Sequence, residues 1–310
     1  MATSTTSTTS DYPIYHSAIP YTSPSASLQT LDLWLPRPIS QSDPNNTTWI
    51  VYIHGGAWRD PTQDSRCVHP TIKRVEQMHP GAVEKIAGIA SINYRLSPYP
   101  NHATQPSKPD DPERNVQHPH HIQDVHRAIE FLNKEHGVTR WVGVGHSCGA
   151  TLVLQCVAGI GLNQPCSTQP EALILLEGIY SIPLFLQNHQ PPTCPENISR
   201  IYNDIIRGAF GDASTYDAVS PVSGSYKESA WPGARLVVLG HSVEDELVEV
   251  AQRDVMLAKL KYEGWTDEDE STRTRVVEIK DLKYGHDEIW QDGVQIAEMI
   301  KDVIEKLYGS

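Results

Sequence analysis

Val142-Gly143-Val144-Gly145-His146-Ser147-Cys148-Gly149-Ala150 is the stretch that decides how the rest of the chain is read. Trp141 to Val144 is an apolar run, the pattern of a short buried strand, and Ala150 to Val157 reads as a helix. Between them lies G-x-S-x-G. Two glycines flanking a serine let the chain reverse sharply from strand to helix and leave the serine hydroxyl exposed at the top of a sheet. The helix behind it offers unpaired N–H groups and the positive end of its dipole, both suited to an oxyanion. A glycine-rich turn would satisfy the motif alone; strand before and helix after favour a nucleophile elbow.

Upstream of the elbow, Leu28 to Leu35 alternates with Leu31, Leu33 and Leu35 on one face, and Trp49 to Ile53 is a continuous apolar run. The second run leads straight into His54-Gly55-Gly56-Ala57-Trp58, where two glycines allow close approach of backbone to a ligand. A helix is expected between Arg66 and Met78, a strand over Gly88 to Asn93, and a long irregular segment from Pro98 to Pro119. His118, His120 and His121 sit beside Pro119 with no facing set at ligand spacing, so no metal site is read there. Ile122, Val125, Ile129 and Leu132 stripe a helix that Gly137 stops.

Downstream, Ala172 to Leu176 is another apolar strand. Regularity is then lost through a proline-rich stretch, and residues 178–232 read as a lid- or cap-like insertion over one end of the sheet. Arg235 to Leu239 and Arg275 to Ile279 are the last strands. Val248, Ala251, Val255, Ala258 and Tyr262 are expected to stripe the helix between them. The segment from Thr266 to Ser271 is acidic and solvated, and Ile289, Ile296, Ile300, Val303, Ile304 and Leu307 stripe the final helix. The alternation predicts an α/β fold with a mostly parallel, doubly wound sheet. Residues 13–310 read as one domain, after a disordered Ser/Thr-rich tail over 1–12 that lacks the features of a signal or transit peptide.

The bulk numbers narrow the function. A formal net charge of −13 repels phosphate backbones and anionic lipid, which argues against nucleic-acid or membrane partners and for a small-molecule substrate. No apolar run approaches the length of a membrane span. The five cysteines are odd in number and irregularly spaced, forming neither a disulfide framework nor a zinc pattern, so a reducing, cytoplasmic setting is the simplest fit.

A serine nucleophile needs a base and an orienting acid, each placed just past a later strand in the order serine, acid, histidine. Asp245 follows the strand ending at Leu239, and His286 follows the last strand. Glu244 and Glu246 rival Asp245 as acids favouring a helix N-terminus, and His241 rivals His286 but precedes the acid. His146 reads as packing the elbow and His54 as tying down the glycine turn. The oxyanion hole is expected from the N–H of Cys148 with those of Gly55 and Gly56, Ala57 standing as a further donor. Cys148 itself reads as a small buried neighbour rather than a reactive thiol.

Together, H-G-G at 54–56, Asn93-Tyr94-Arg95-Leu96-Ser97-Pro98, G-H-S-C-G at 145–149, Asp245 and His286 resemble the hormone-sensitive-lipase-like branch of the α/β-hydrolases. The turn is H-G-G-x-W, not H-G-G-G. It is similar to that of fungal kynurenine formamidases (arylformamidases), as are the flanking Tyr52-Ile53, Arg59-Asp60-Pro61 and Leu176-Glu177-Gly178-Ile179-Tyr180. The resemblance implies an α/β-hydrolase fold and cleavage of N-formyl-L-kynurenine to L-kynurenine and formate, in tryptophan breakdown towards NAD, with no cofactor. A formyl group asks for a small acyl pocket, and bulky Trp58 beside the hole is expected to make it so. Trp58, Tyr99 and Tyr180 are candidates for the aromatic slot. A homodimer rests on analogy alone. The rival readings are a general short-chain carboxylesterase of the same superfamily and, more remotely, a non-catalytic binding protein on the same fold.

Overall fold

The structure, a computed structural model, describes residues 12–24, 26–266 and 275–309. The expected tail lies outside these residues except for Tyr12, and so does the acidic segment beyond Thr266. Eight strands form one sheet: β1 (Ile14–Pro20), β2 (Thr30–Leu35), β3 (Thr48–Ile53), β4 (Ile86–Ile92), β5 (Trp141–His146), β6 (Ala172–Leu176), β7 (Leu236–Ser242) and β8 (Val276–Leu282). Their spatial order is β1-β2-β4-β3-β5-β6-β7-β8. β2 runs antiparallel to both β1 and β4, and every pairing from β4 through β8 is parallel.

Helices α1 (His69–Val75) and α2 (Pro80–Glu84) join β3 to β4, and α3 (His120–His136) precedes β5. α4 (Cys148–Ala158) follows β5. α5 (Ile182–Asn188), α6 (Glu196–Phe210) and α7 (Tyr216–Val219) lie between β6 and β7, and α8 (Ala251–Tyr262) precedes β8. α9 (Glu288–Asp292) and α10 (Val294–Tyr308) come last. No described helix is long and apolar enough to cross a membrane.

The strands are apolar throughout because both faces of the sheet are covered. In β6, Leu173 and Leu175 pack with α3 and α4, while Ala172, Ile174 and Leu176 pack with α1 and α10. The stripe Ile122, Val125, Ile129 and Leu132 is buried as expected, and Gly137 ends α3 at φ 66°. The doubly wound parallel sheet is therefore the observed fold.

Four details depart from the sequence reading. β1 was not expected: it is an edge strand with mostly exposed side chains, bounded by Pro13 and Pro20, so it carries no apolar alternation. The helix expected from Arg66 to Met78 is shorter, with a 3₁₀ turn at Ser65–Val68 leading into α1. The buried face of α8 is Gln252, Met256 and Leu260, whereas Ala258 and Tyr262 are exposed. Gln252 hides that stripe because its polar side chain is buried for hydrogen bonding: Oε1 accepts from the N–H groups of Tyr180 and Ser181, each at 2.8 Å. Ile289 belongs to α9, which Gly293 at φ 67° separates from α10.

Candidate active site

The elbow is built by steric necessity. Ser147 caps α4 at φ 53°, ψ −125°, in the left-handed region that serine rarely occupies. A Cβ on Gly149 would lie 2.1 Å from the Ile53 carbonyl oxygen, and one on Gly145 would lie 2.6 Å from Ala150 backbone atoms. Larger residues would force α4 away from β3 and β5. The Ser147 N–H donates to the Leu176 carbonyl at 2.8 Å, fixing the turn against β6.

The second turn is as tightly held. Gly56, Ala57 and Trp58 all have positive φ (94°, 50° and 58°). The Tyr94 hydroxyl lies 3.0 Å and 3.1 Å from the His54 and Gly55 carbonyls, His54 Nδ1 lies 2.9 Å from the Gly55 oxygen, and Arg59 and Asp60 donate their N–H groups to the Gly56 carbonyl. Gly55 abuts the elbow, where a Cβ would come within 3.1 Å of Ser147 Cβ. The Trp58 N–H is spent on Cys148 Sγ at 3.3 Å. Cys148 is buried, and burial pushes its thiol up to about 11, which suits the packing role expected of it.

Asp245 and His286 meet as expected. His286 Nδ1 lies 2.9 Å from Asp245 Oδ2, and Asp245 Oδ1 accepts the N–H groups of Leu247 and Val248 at 2.8 and 2.9 Å. That turn selects Asp245 over its neighbours. Residues 244–246 precede α8 by several positions, so none is a first-turn helix acid. Glu246 instead accepts the His286 N–H at 3.2 Å. His241 points its Nε2 at the Val248 carbonyl, 3.0 Å away. Ser147 and His286 line one cavity of about 330 Å³, without a hydrogen bond between them.

Gly56, Ala57 and Tyr99 line that cavity too. Trp58 and Tyr180 do not, which corrects two expected pocket residues. Both are fully buried: Trp58 packs edge-on against Phe210 at 5.0 Å, behind the turn it was expected to crowd. The apolar wall comes instead from Phe185 on α5, Ile198, Ile201, Tyr202 and Ile205 on α6, and Leu247. Sequence reasoning missed this wall. Its signal was present, since 198, 201, 202 and 205 follow helical spacing.

A buried acid was missed as well. Glu177 follows β6 at φ 51°, and its carboxyl oxygens are buried without a hydrogen-bond partner. Its Oε2 lies 3.5 Å from His146 Nε2 and 3.7 Å from His286 Nδ1. Burial, and then the neighbouring Asp245 charge, push its carboxyl up to about 9. His146 is buried and held well below the usual histidine range, and its Nε2 lies 3.0 Å from the His286 carbonyl. It packs the elbow, as expected. The histidines near Pro119 go separate ways: His121 Nε2 meets Ser97 Oγ at 3.0 Å, His118 packs on Phe210 and His120 turns to the Gln117 carbonyl.

A parallel sheet with the serine after β5, the acid after β7 and the histidine after β8 defines an α/β-hydrolase. Solved structures share this fold. Esterase B from Lactobacillus rhamnosis aligns with a TM-score of 0.62 at 14% identity, covering 95% of this chain and 88% of its own. A truncated carbohydrate esterase from gut microbiota gives 0.61 at 16%, covering 94% and 97%. The chain belongs to the kynurenine formamidase family. It is 34% identical over 304 residues to the kynurenine formamidase-like hydrolase fscH of Fusarium equiseti, spanning 94% of this chain and 95% of that one. It is 31% identical to kynurenine formamidase avaC of Aspergillus versicolor, over 78% and 84% of the two chains. It is 32% identical to the kynurenine formamidase of Meyerozyma guilliermondii, over 70% and 73%. No family model matches the chain.

Proposed function

We propose that this enzyme hydrolyses N-formyl-L-kynurenine to L-kynurenine and formate, a step in tryptophan breakdown, with Ser147 as nucleophile. The observation that carries the reading is the 2.9 Å contact of His286 Nδ1 with Asp245, opening on a cavity shared with Ser147, in a chain related over nearly its full length to kynurenine formamidases. With Nδ1–H directed at Asp245, His286 keeps Nε2 to accept the Ser147 proton. The serine oxygen attacks the formyl carbon. The oxyanion is received by the N–H of Cys148, at the first position of α4 where the helix itself offers no acceptor, and by the turn at Gly55, Gly56 and Ala57. His286 returns the proton to the aryl nitrogen as the C–N bond breaks. Water, deprotonated by the same histidine, then attacks the formyl-serine and releases formate. The segment 178–232 acts as a cap over this chemistry, with α6 as the wall for the aryl group.

The rival is a short-chain carboxylesterase, which the fold hosts equally well. Catalytic efficiency on N-formyl-L-kynurenine against p-nitrophenyl acetate separates the two. The formamide is expected to win. Ester preference by orders of magnitude would remove the formamidase reading and leave the catalytic residues standing.

A further inference from the structure

We propose that Arg59 forms a carboxylate-binding subsite in the catalytic cavity, taking the amino-acid end of the substrate while the α6 wall takes its aryl ring. The inference rests on the formamidase reading and names a substrate contact which that reading leaves open. Arg59 is the one arginine or lysine among the described residues lining the cavity with Ser147 and His286. Its guanidinium lies 4.1 Å over the Tyr99 ring, which fixes its plane; with five N–H donors it keeps capacity for a ligand beyond its hydrogen bond with Tyr99. The side chain is more than half withdrawn from water; Asp204 and Asp60 attract it and the Tyr99 side chain is a hydrogen-bond partner, but no described carboxylate comes within ion-pair distance. Burial lowers its pKa, yet a guanidinium stays charged.

A desolvated cation with no carboxylate at ion-pair distance is costly, and in a chain of net charge −13 acidic partners abound. The fold nevertheless leaves this one open toward the cavity. Its backbone is pinned, since the Arg59 N–H donates to the Gly56 carbonyl at 2.9 Å within the turn beside the nucleophile. A planar fork suits a carboxylate. Asp60 and Asp287 line the same cavity and supply negative charge for an adjacent ammonium. Asp287 Oδ1 is already held by Gln63 and Trp290, which sets the carboxylate in place. Cation, anions and apolar wall together match an aryl group bearing a zwitterionic amino acid.

Steady-state kinetics on the full chain test this with N-formyl-L-kynurenine and 2'-formamidoacetophenone, the same aryl formamide without the amino-acid end. The readout is the ratio of the two kcat/KM values within each enzyme, which cancels differences in folded fraction. In Arg59→Met the ratio is expected to fall by about 10²-fold, chiefly through KM for the zwitterion, as loss of a charge-assisted pair implies. Arg59→Lys should recover part of it. A ratio unchanged in both variants overturns the subsite. If neither formamide is cleaved but p-nitrophenyl acetate is, the formamidase reading has failed. The subsite is then read from p-nitrophenyl hemisuccinate against the acetate: a falling ratio in Arg59→Met supports it, and a constant one overturns it.

Discussion

Glu177 stands at φ 51° with its carboxyl buried, 3.7 Å from the nitrogen of His286 that faces Asp245. Its pKa is raised from 4.5 to about 9, so the fold holds a proton that the unfolded chain releases. Between those values the unfolded state binds fewer protons, and stability falls as pH rises. Glu177→Gln removes that term. The variant should therefore melt above the wild type, with a margin that widens from about pH 5 to about pH 9. Melting scans across that window check it, and a margin independent of pH contradicts the assignment. At this scale legibility was uneven. The placement of Ser147 and His286 at one cavity, with Asp245 against His286, could be read because each sits at a strand end in an ordered series. Glu177 could not, because a carboxylate after a strand is unremarkable until burial and three ionisable neighbours are known. Arg59 was hidden for the same reason: its meaning depends on the ion pair it does not make.

Among elements, α6 shows how composition misleads. Prolines at 191, 192 and 195 mark the region as irregular, yet Pro195 is the N-cap of a 15-residue helix. The helix turns Ile198, Ile201 and Ile205 toward the cavity, and Ile201 remains 47% exposed. An exposed isoleucine beside a catalytic cavity is a binding surface more than a core residue. Ile201→Asp should raise KM for N-formyl-L-kynurenine about tenfold while sparing kcat and the melting temperature, a loss comparable to one buried side chain. Steady-state kinetics beside a melting scan decide. A fall in kcat at constant KM would contradict the role given to α6. α8 misled in the opposite way, because Gln252 interrupts its apolar stripe to hold the chain at Tyr180 and Ser181. β1 lacked a pattern altogether, since an edge strand with little buried surface needs none.

For the whole molecule, the parallel sheet gathers residues far apart in sequence. The ends of β3, β5, β7 and β8 lie along one edge, so the turn at His54–Trp58, the elbow, Asp245 and His286 converge without any local signal linking them. The chain order of serine, acid and histidine, each just past a strand, made that convergence readable. The interior of the cavity was not, because it depends on which side of each loop faces inward: Trp58 and Tyr180 turn into the core and Tyr99 turns to the cavity. The account stands or falls on Ser147 acting on an aryl formamide. The direct measurement is release of kynurenine from N-formyl-L-kynurenine, followed by absorbance, for the wild type and Ser147→Ala. The account predicts ready turnover by the wild type and a loss of about 10⁶-fold in the variant, with the residue left by the oxyanion hole and binding alone. A Ser147→Ala protein that still releases kynurenine at the wild-type rate, or a wild type that cleaves esters but releases none, would contradict it.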